Sequence, residues 1–143
     1  MPTPTIGHCN RVIGWGSLST GVLTGLILGL WSFDGPLSTP AWLGEYGDTA
    51  RRLARLGHIA FFGLGILNLF LARELLRLPL SARARRIAAV TMNFGNIGLP
   101  LTLFLAAAYP PAKYVLSIPA SSVLVALVIT FLGVVRSGGD ANR

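Results

Sequence analysis

Charge is the first thing this sequence lacks. Only 12% of its 143 residues are charged, about half the share usual in a soluble globular chain. The mean hydropathy of +0.64 makes lipid the expected solvent. Cysteine is nearly absent as well: Cys9 stands alone, which excludes an intrachain disulfide and a cysteine-based metal framework. Histidine occurs twice, as His8 and His58, and acids number five. These few groups form no Ser-His-Asp set, no pair of catalytic carboxylates, no glycine-rich phosphate loop after a strand and no metal-ligand cluster. Catalysis by this chain, a metal site and a resident cofactor are therefore not expected. Lysine is the last scarcity: eleven arginines and one lysine give a net charge of +7. They sit at the edges of apolar runs, where anchoring to anionic headgroups explains them better than nucleic-acid binding, which wants a basic stripe on a soluble face.

Long apolar runs are abundant. Four reach the roughly 20 residues needed to cross a hydrocarbon core of about 30 Å, at about 12–33, 53–76, 87–109 and 114–135. Charges or turn formers bound each one: Arg11 and Asp34-Gly35-Pro36, Arg51-Arg52 and Arg77 with Pro79, Arg85-Arg86 and Tyr109-Pro110-Pro111, Lys113 and Arg136. The runs lack the alternation of lipid-facing barrel strands and are about twice their length. The expected fold is all-α, a four-helix antiparallel bundle integral to the membrane, with residues 1–143 forming one domain. A single arginine precedes the first run and no small-residue cleavage site ends it, so that run is expected to be retained as a span.

Counting basic residues near the span ends with the amino terminus inside gives Arg11, Arg73, Arg77, Arg83, Arg85, Arg86, Arg136 and Arg143 on the cytoplasmic side. Arg51, Arg52, Arg55 and Lys113 fall outside. Eight against four predicts both termini in the cytoplasm, most simply of a bacterial inner membrane. The sizeable connection, residues 34–52, carries three of the five acids with Trp42 and Tyr46, aromatics suited to the headgroup region. Trp42, Tyr46, Arg83, Arg85 and Arg86 are the expected surface anchors.

Lipid gives no hydrophobic reward for pressing helices together, so close backbone approach and buried polar groups must supply the attraction. The first span offers Ser17, Gly21, Gly25 and Gly29 at a constant spacing of four, a small-residue stripe for helix contact. On the second, His58, Phe61, Gly65, Asn68 and Ala72 fall within about 80° of one another at 100° per residue. On the third, Asn93, Asn96 and Pro100 share a face, and the two amides are placed to bond to Asn68, His58 or a freed carbonyl. Pro100 leaves the Asn96 carbonyl without its helical partner and should bend the span; Pro119 should do the same to Val115, with Ser117, Ser121 and Ser122 nearby. His58, Asn68, Asn93, Asn96 and Pro100 are thus the candidate buried polar or ligand site. A haem held by two histidines of one chain is disfavoured, because His8 precedes the first span and falls on the far side from His58. Met92 falls at the wrong depth.

The string NFGNIGLPL resembles a glycine-asparagine-proline stretch in transporters of the auxin efflux carrier family, where a broken helix contributes to the transport pathway. Those carriers have many more spans than four, and the resemblance implies only a kinked polar helix. RLGHIAFFGLGILN resembles the second helix of small four-span bacterial membrane proteins, which implies no activity. The expected role is that of a non-catalytic accessory subunit packing against membrane lipids and other integral membrane subunits. The alternatives are a homo-oligomeric transporter or channel lined by Asn68, Asn93 and Asn96, and haem or quinone binding at His58.

Overall fold

A computed structural model describes residues 6–32 and 35–140. Among them stand four α-helices: α1 (Ile6–Gly29), α2 (Thr49–Arg77), α3 (Ala82–Ala108) and α4 (Ser117–Asp140), with a 3₁₀ turn at Pro110–Val115 before α4. All four are long and apolar enough to cross a membrane. The chain is an all-α integral membrane bundle, and successive helices run antiparallel.

The predicted first span is displaced. The helix begins at Ile6 and ends at Gly29, about one and a half turns earlier than 12–33, and residue 33 lies outside the described residues. The displacement follows from packing. Gly7, Asn10, Gly14, Ser17 and Gly21 are all buried and recur at spacings of three and four, the seam of one helix laid along another. Asn10 belongs to that seam and pulls the chain before Arg11 into the helix. α4 also starts later than position 114, because Pro110 and Pro111 hold the backbone in the 3₁₀ turn.

The ends of the other helices follow from local chemistry. Asp48 is extended before α2, its Oδ2 accepting from the Glu45 amide at 2.8 Å. Ser81 caps α3, its Oγ accepting from the Ala84 amide at 3.2 Å, as side-chain oxygens do at helix starts. Pro119 does not bend α4 as the sequence suggested. It lies in the first turn, where no backbone N–H is needed, and the Ala120 amide reaches the Leu116 carbonyl at 3.2 Å. Ser121 and Ser122 bond back to the Ser117 and Ile118 carbonyls and face outward.

α2 and α3 form the middle of the bundle. α1 packs along α2 and reaches α3, whereas α4 packs along α3 and barely reaches α2. α1 and α4 therefore lie apart, with α3 between them. One apolar cluster, including Leu71, Leu75, Ala88, Met92, Val123 and Ala126, joins α2, α3 and α4. A second, at the other end, joins Leu43, Ala54 and Ala107 with Trp31 and Phe104 packed against it. Leu43 is fully buried, so the connection over residues 35–48 folds over the bundle end. Outward-facing residues such as Leu26, Phe70, Leu124, Val128 and Phe131 are large, apolar and exposed, as lipid contact requires.

Candidate functional site

α3 carries the stretch Asn93–Pro100, and its two sides do different work. Gly95 and Gly98 face α4. A Cβ on Gly95 would stand 2.9 Å from the Pro119 carbonyl and against Val123, and one on Gly98 would stand 3.1 Å from the Pro119 Cβ. The glycines are what let α4 approach. Asn93 and Asn96 face the other way, toward α2 and α1.

The amides form two linked contacts. Asn10 Nδ2 donates to Asn68 Oδ1 at 2.6 Å and to the Ala89 carbonyl at 3.3 Å; Asn68 Nδ2 donates to Asn93 Oδ1 at 2.9 Å. This chain of amides ties α1, α2 and α3 at one depth. About two turns along α1, Ser17 Oγ lies 3.0 Å from the Phe61 carbonyl and 2.9 Å from Asn96 Oδ1, tying the same three helices again. Asn10, Asn68 and Asn96 are fully buried, and Ser17 nearly so; Asn93 is half-buried.

Satisfaction is incomplete. Asn10 Oδ1 and Asn96 Nδ2 are buried without a partner. Ser17 has one proton for two acceptors. Turning the Asn96 amide by 180° would let Nδ2 donate to Ser17 while Ser17 donates to Phe61, but Oδ1 would then lose its partner. In either arrangement one polar atom of Asn96 stays in hydrocarbon unbonded, beside a backbone carbonyl that Pro100 leaves free.

His58 does not join the amides. Its Nδ1 lies 2.9 Å from the Gly21 carbonyl and 3.4 Å from Thr24 Oγ1, so the ring donates from Nδ1 to α1. The ring stands edge-on to Phe62, centroids 5.2 Å apart, and fits because Gly25 has no side chain: a Cβ there would stand 2.5 Å from His58 Cε1. Gly21 and Gly25 are thus consumed within the α1–α2 seam, Gly21 beneath Phe62 and Gly25 beneath His58. Gly29, the last of the predicted stripe, meets nothing within 4 Å. Gly7 and Gly14 continue the seam instead, with would-be Cβ atoms 3.1 Å from the Ala72 and Gly65 carbonyls. The small-residue spacing carried on toward the amino terminus was their signal in the sequence, and Asn10 between them was hidden by the late expected start of the span. Met92 is fully buried in the apolar cluster.

The anchors divide. Trp42 and Tyr46 are exposed, but Tyr46 lies between the guanidinium groups of Arg51 and Arg55, 5.4 and 4.2 Å from its ring centroid. Arg51 is only 7% exposed; its Nη2 donates to the Trp31 carbonyl and to Ser32 Oγ, the latter at 3.1 Å. It thereby closes the end of α1, where unpaired carbonyls attract a cation. Arg83 and Arg86 are exposed. Arg85 is half-buried; its Nη2 reaches back 3.5 Å to the Leu78 carbonyl, and its Nε is buried without a partner.

The fold and centre define a class, a four-span helical membrane protein joined through asparagines and glycines. Comparison with family models, curated proteins and solved structures gives no match.

Proposed function

We propose that this chain is a non-catalytic subunit of a larger membrane assembly and that the flank between α1 and α4 receives a partner helix. One observation carries the reading: α4 is held by α3 almost alone, and α1 and α4 share too little contact to close the bundle. The polar side chains support a structural role, since Asn10, Ser17, Asn68, Asn93 and His58 all bond to a neighbouring helix. No bond-breaking chemistry and no cofactor enter this reading.

The test places a photoreactive amino acid at Ile97 or Leu101, exposed on α3 between the side that meets α1 and the glycines that meet α4, in native membranes. A single crosslinked protein, absent when the probe stands at Leu67, exposed on α2, is the expected result. Lipid adducts alone at every position would refute it.

A homo-oligomeric transporter is the second reading, and the unpartnered Asn10 Oδ1 and Asn96 atoms favour it, because intramembrane polar groups without partners mark ion and substrate paths. Liposome flux that survives joint replacement of Asn93 and Asn96 by leucine would remove it.

A further inference from the structure

At the end of the bundle that carries the start of α1 and the end of α2, the seam between these helices opens into a groove of about 460 Å³. Arg11, Trp15, Leu69, Ala72, Arg73 and Leu76 line it. The groove continues along α2 into a recess of about 220 Å³ that shares Leu69 and Arg73 and adds Ile66 and Phe70. Arg11 and Arg73 come from antiparallel helices and converge on the same space. Neither has a carboxylate within ion-pair distance among the described residues, where the ion pair formed is Arg77 with Glu74 at 4.0 Å.

Polarity is graded along the groove. Trp15 lies one turn deeper on α1 than Arg11, and Ile66 lies about 10 Å deeper on α2 than Arg73 at 1.5 Å per residue. In a bilayer this order puts two guanidinium groups at headgroup level and the Ile66–Phe70 wall among acyl chains, with an indole at the boundary between them. A partner helix would bring apolar side chains to a place where two cations already stand. A phosphate matches them, because guanidinium groups bind its oxygens in pairs.

We propose that this groove is a binding site for one anionic phospholipid, its phosphate between Arg11 and Arg73 and an acyl chain along Leu69, Ile66 and Phe70. The site is separate from the α1/α4 flank and stands whether or not the chain is a subunit.

The experiment uses the full chain, delipidated in neutral detergent and titrated with phosphatidylglycerol or phosphatidylcholine, with bound lipid counted by native mass spectrometry. One phosphatidylglycerol should be retained per chain in preference to phosphatidylcholine. R11Q/R73Q should weaken retention about thirtyfold, while R83Q/R86Q, which removes the same charge from the same end, should leave it unchanged. Equal retention of the two lipids would overturn the proposal, as would equal loss in the control variant. Displacement by glycerol phosphate at comparable concentration would also overturn it, since the tail would then contribute nothing. If R11Q/R73Q does not fold, W31F/W42F leaves Trp15 as the sole reporter. Brominated phosphatidylglycerol should quench it to saturation at about one lipid per chain, and identical quenching by brominated phosphatidylcholine would refute the site.

Discussion

Adding one methyl group to α1 has opposite predicted effects two residues apart. Gly14 and Gly65 face each other so closely that a Cβ on Gly14 would stand 3.1 Å from the Gly65 carbonyl oxygen and 2.8 Å from Leu69. A Cβ on Gly65 would stand 3.0 Å from the Gly14 carbonyl oxygen. Gly16 and Gly63 meet nothing within 4 Å. In a helix interior, Gly→Ala gains about 0.5–1 kcal/mol from lost backbone freedom of the unfolded chain. A methyl driven against a neighbour costs about 1–3 kcal/mol. The obstacles at Gly14 and Gly65 include each other's backbone carbonyl, which cannot turn aside as a side chain can, so the seam has to widen and the cost prevails. G14A and G65A should each lose about 1–2 kcal/mol, whereas G16A and G63A should lose nothing or gain up to about 1 kcal/mol. Both seam substitutions widen the same gap, so the double variant should cost less than the sum by at least about 0.5 kcal/mol. Titration of mixed micelles with sodium dodecyl sulfate, followed by circular dichroism, measures all five variants. Equal shifts for G14A and G16A, or strict additivity of G14A with G65A, would refute the contact.

The same titration ranks the amides. Asn68→Leu breaks two interhelical bonds worth about 0.6 kcal/mol each and strands groups on Asn10 and Asn93, for a loss of about 1–2 kcal/mol. Asn96→Leu should cost less than about 0.6 kcal/mol, since Ser17 keeps the Phe61 carbonyl and an unpartnered polar atom disappears; the reverse ranking would contradict the network. Gly95→Val should detach α4 alone, so that a cysteine at Val123, placed in a C9S background, reacts with a membrane-permeant maleimide only when Gly95 is also replaced. Arg51→Met should speed proteolysis within residues 35–48 severalfold by releasing the end of α1, and Arg52→Met, at an exposed position, should not.

The number of spans and their apolar character were legible because crossing hydrocarbon demands about 20 apolar residues whatever the packing. The first boundary was not. A hydropathy pattern treats Gly7, Cys9 and Asn10 as a polar lead-in, whereas the small-residue seam includes Gly7 and Asn10 in the helix as surely as it includes Gly21. Asn68 with Asn93 could be anticipated, since both lie on polar faces of antiparallel neighbours. Asn96 with Ser17 could not, because it needs α1 to lean across α2 onto α3, and periodicity within one helix says nothing about that lean. His58 was placed on the correct helix face, but its bond runs to a backbone carbonyl, an acceptor that every residue supplies and no sequence marks. Pro119 misled because the 3₁₀ turn before it moved the start of α4, turning an interior proline into a first-turn one.

The eight residues from Asn93 to Pro100 make α3 the helix on which the others depend. Toward α1 and α2 it presents amides, directional groups that fix rotation and depth. Toward α4 it presents Gly95 and Gly98, which permit close approach and specify little beyond contact. Three helices are therefore held in register by hydrogen bonds that have no competing water in hydrocarbon, while the fourth is held by shape alone. A helix held by shape is the one a partner can rotate or displace at least cost, since no buried polar atom is stranded when it moves. The open flank and the lightly tethered α4 thus have one origin, the alternation of asparagine and glycine along a single turn and a half of α3.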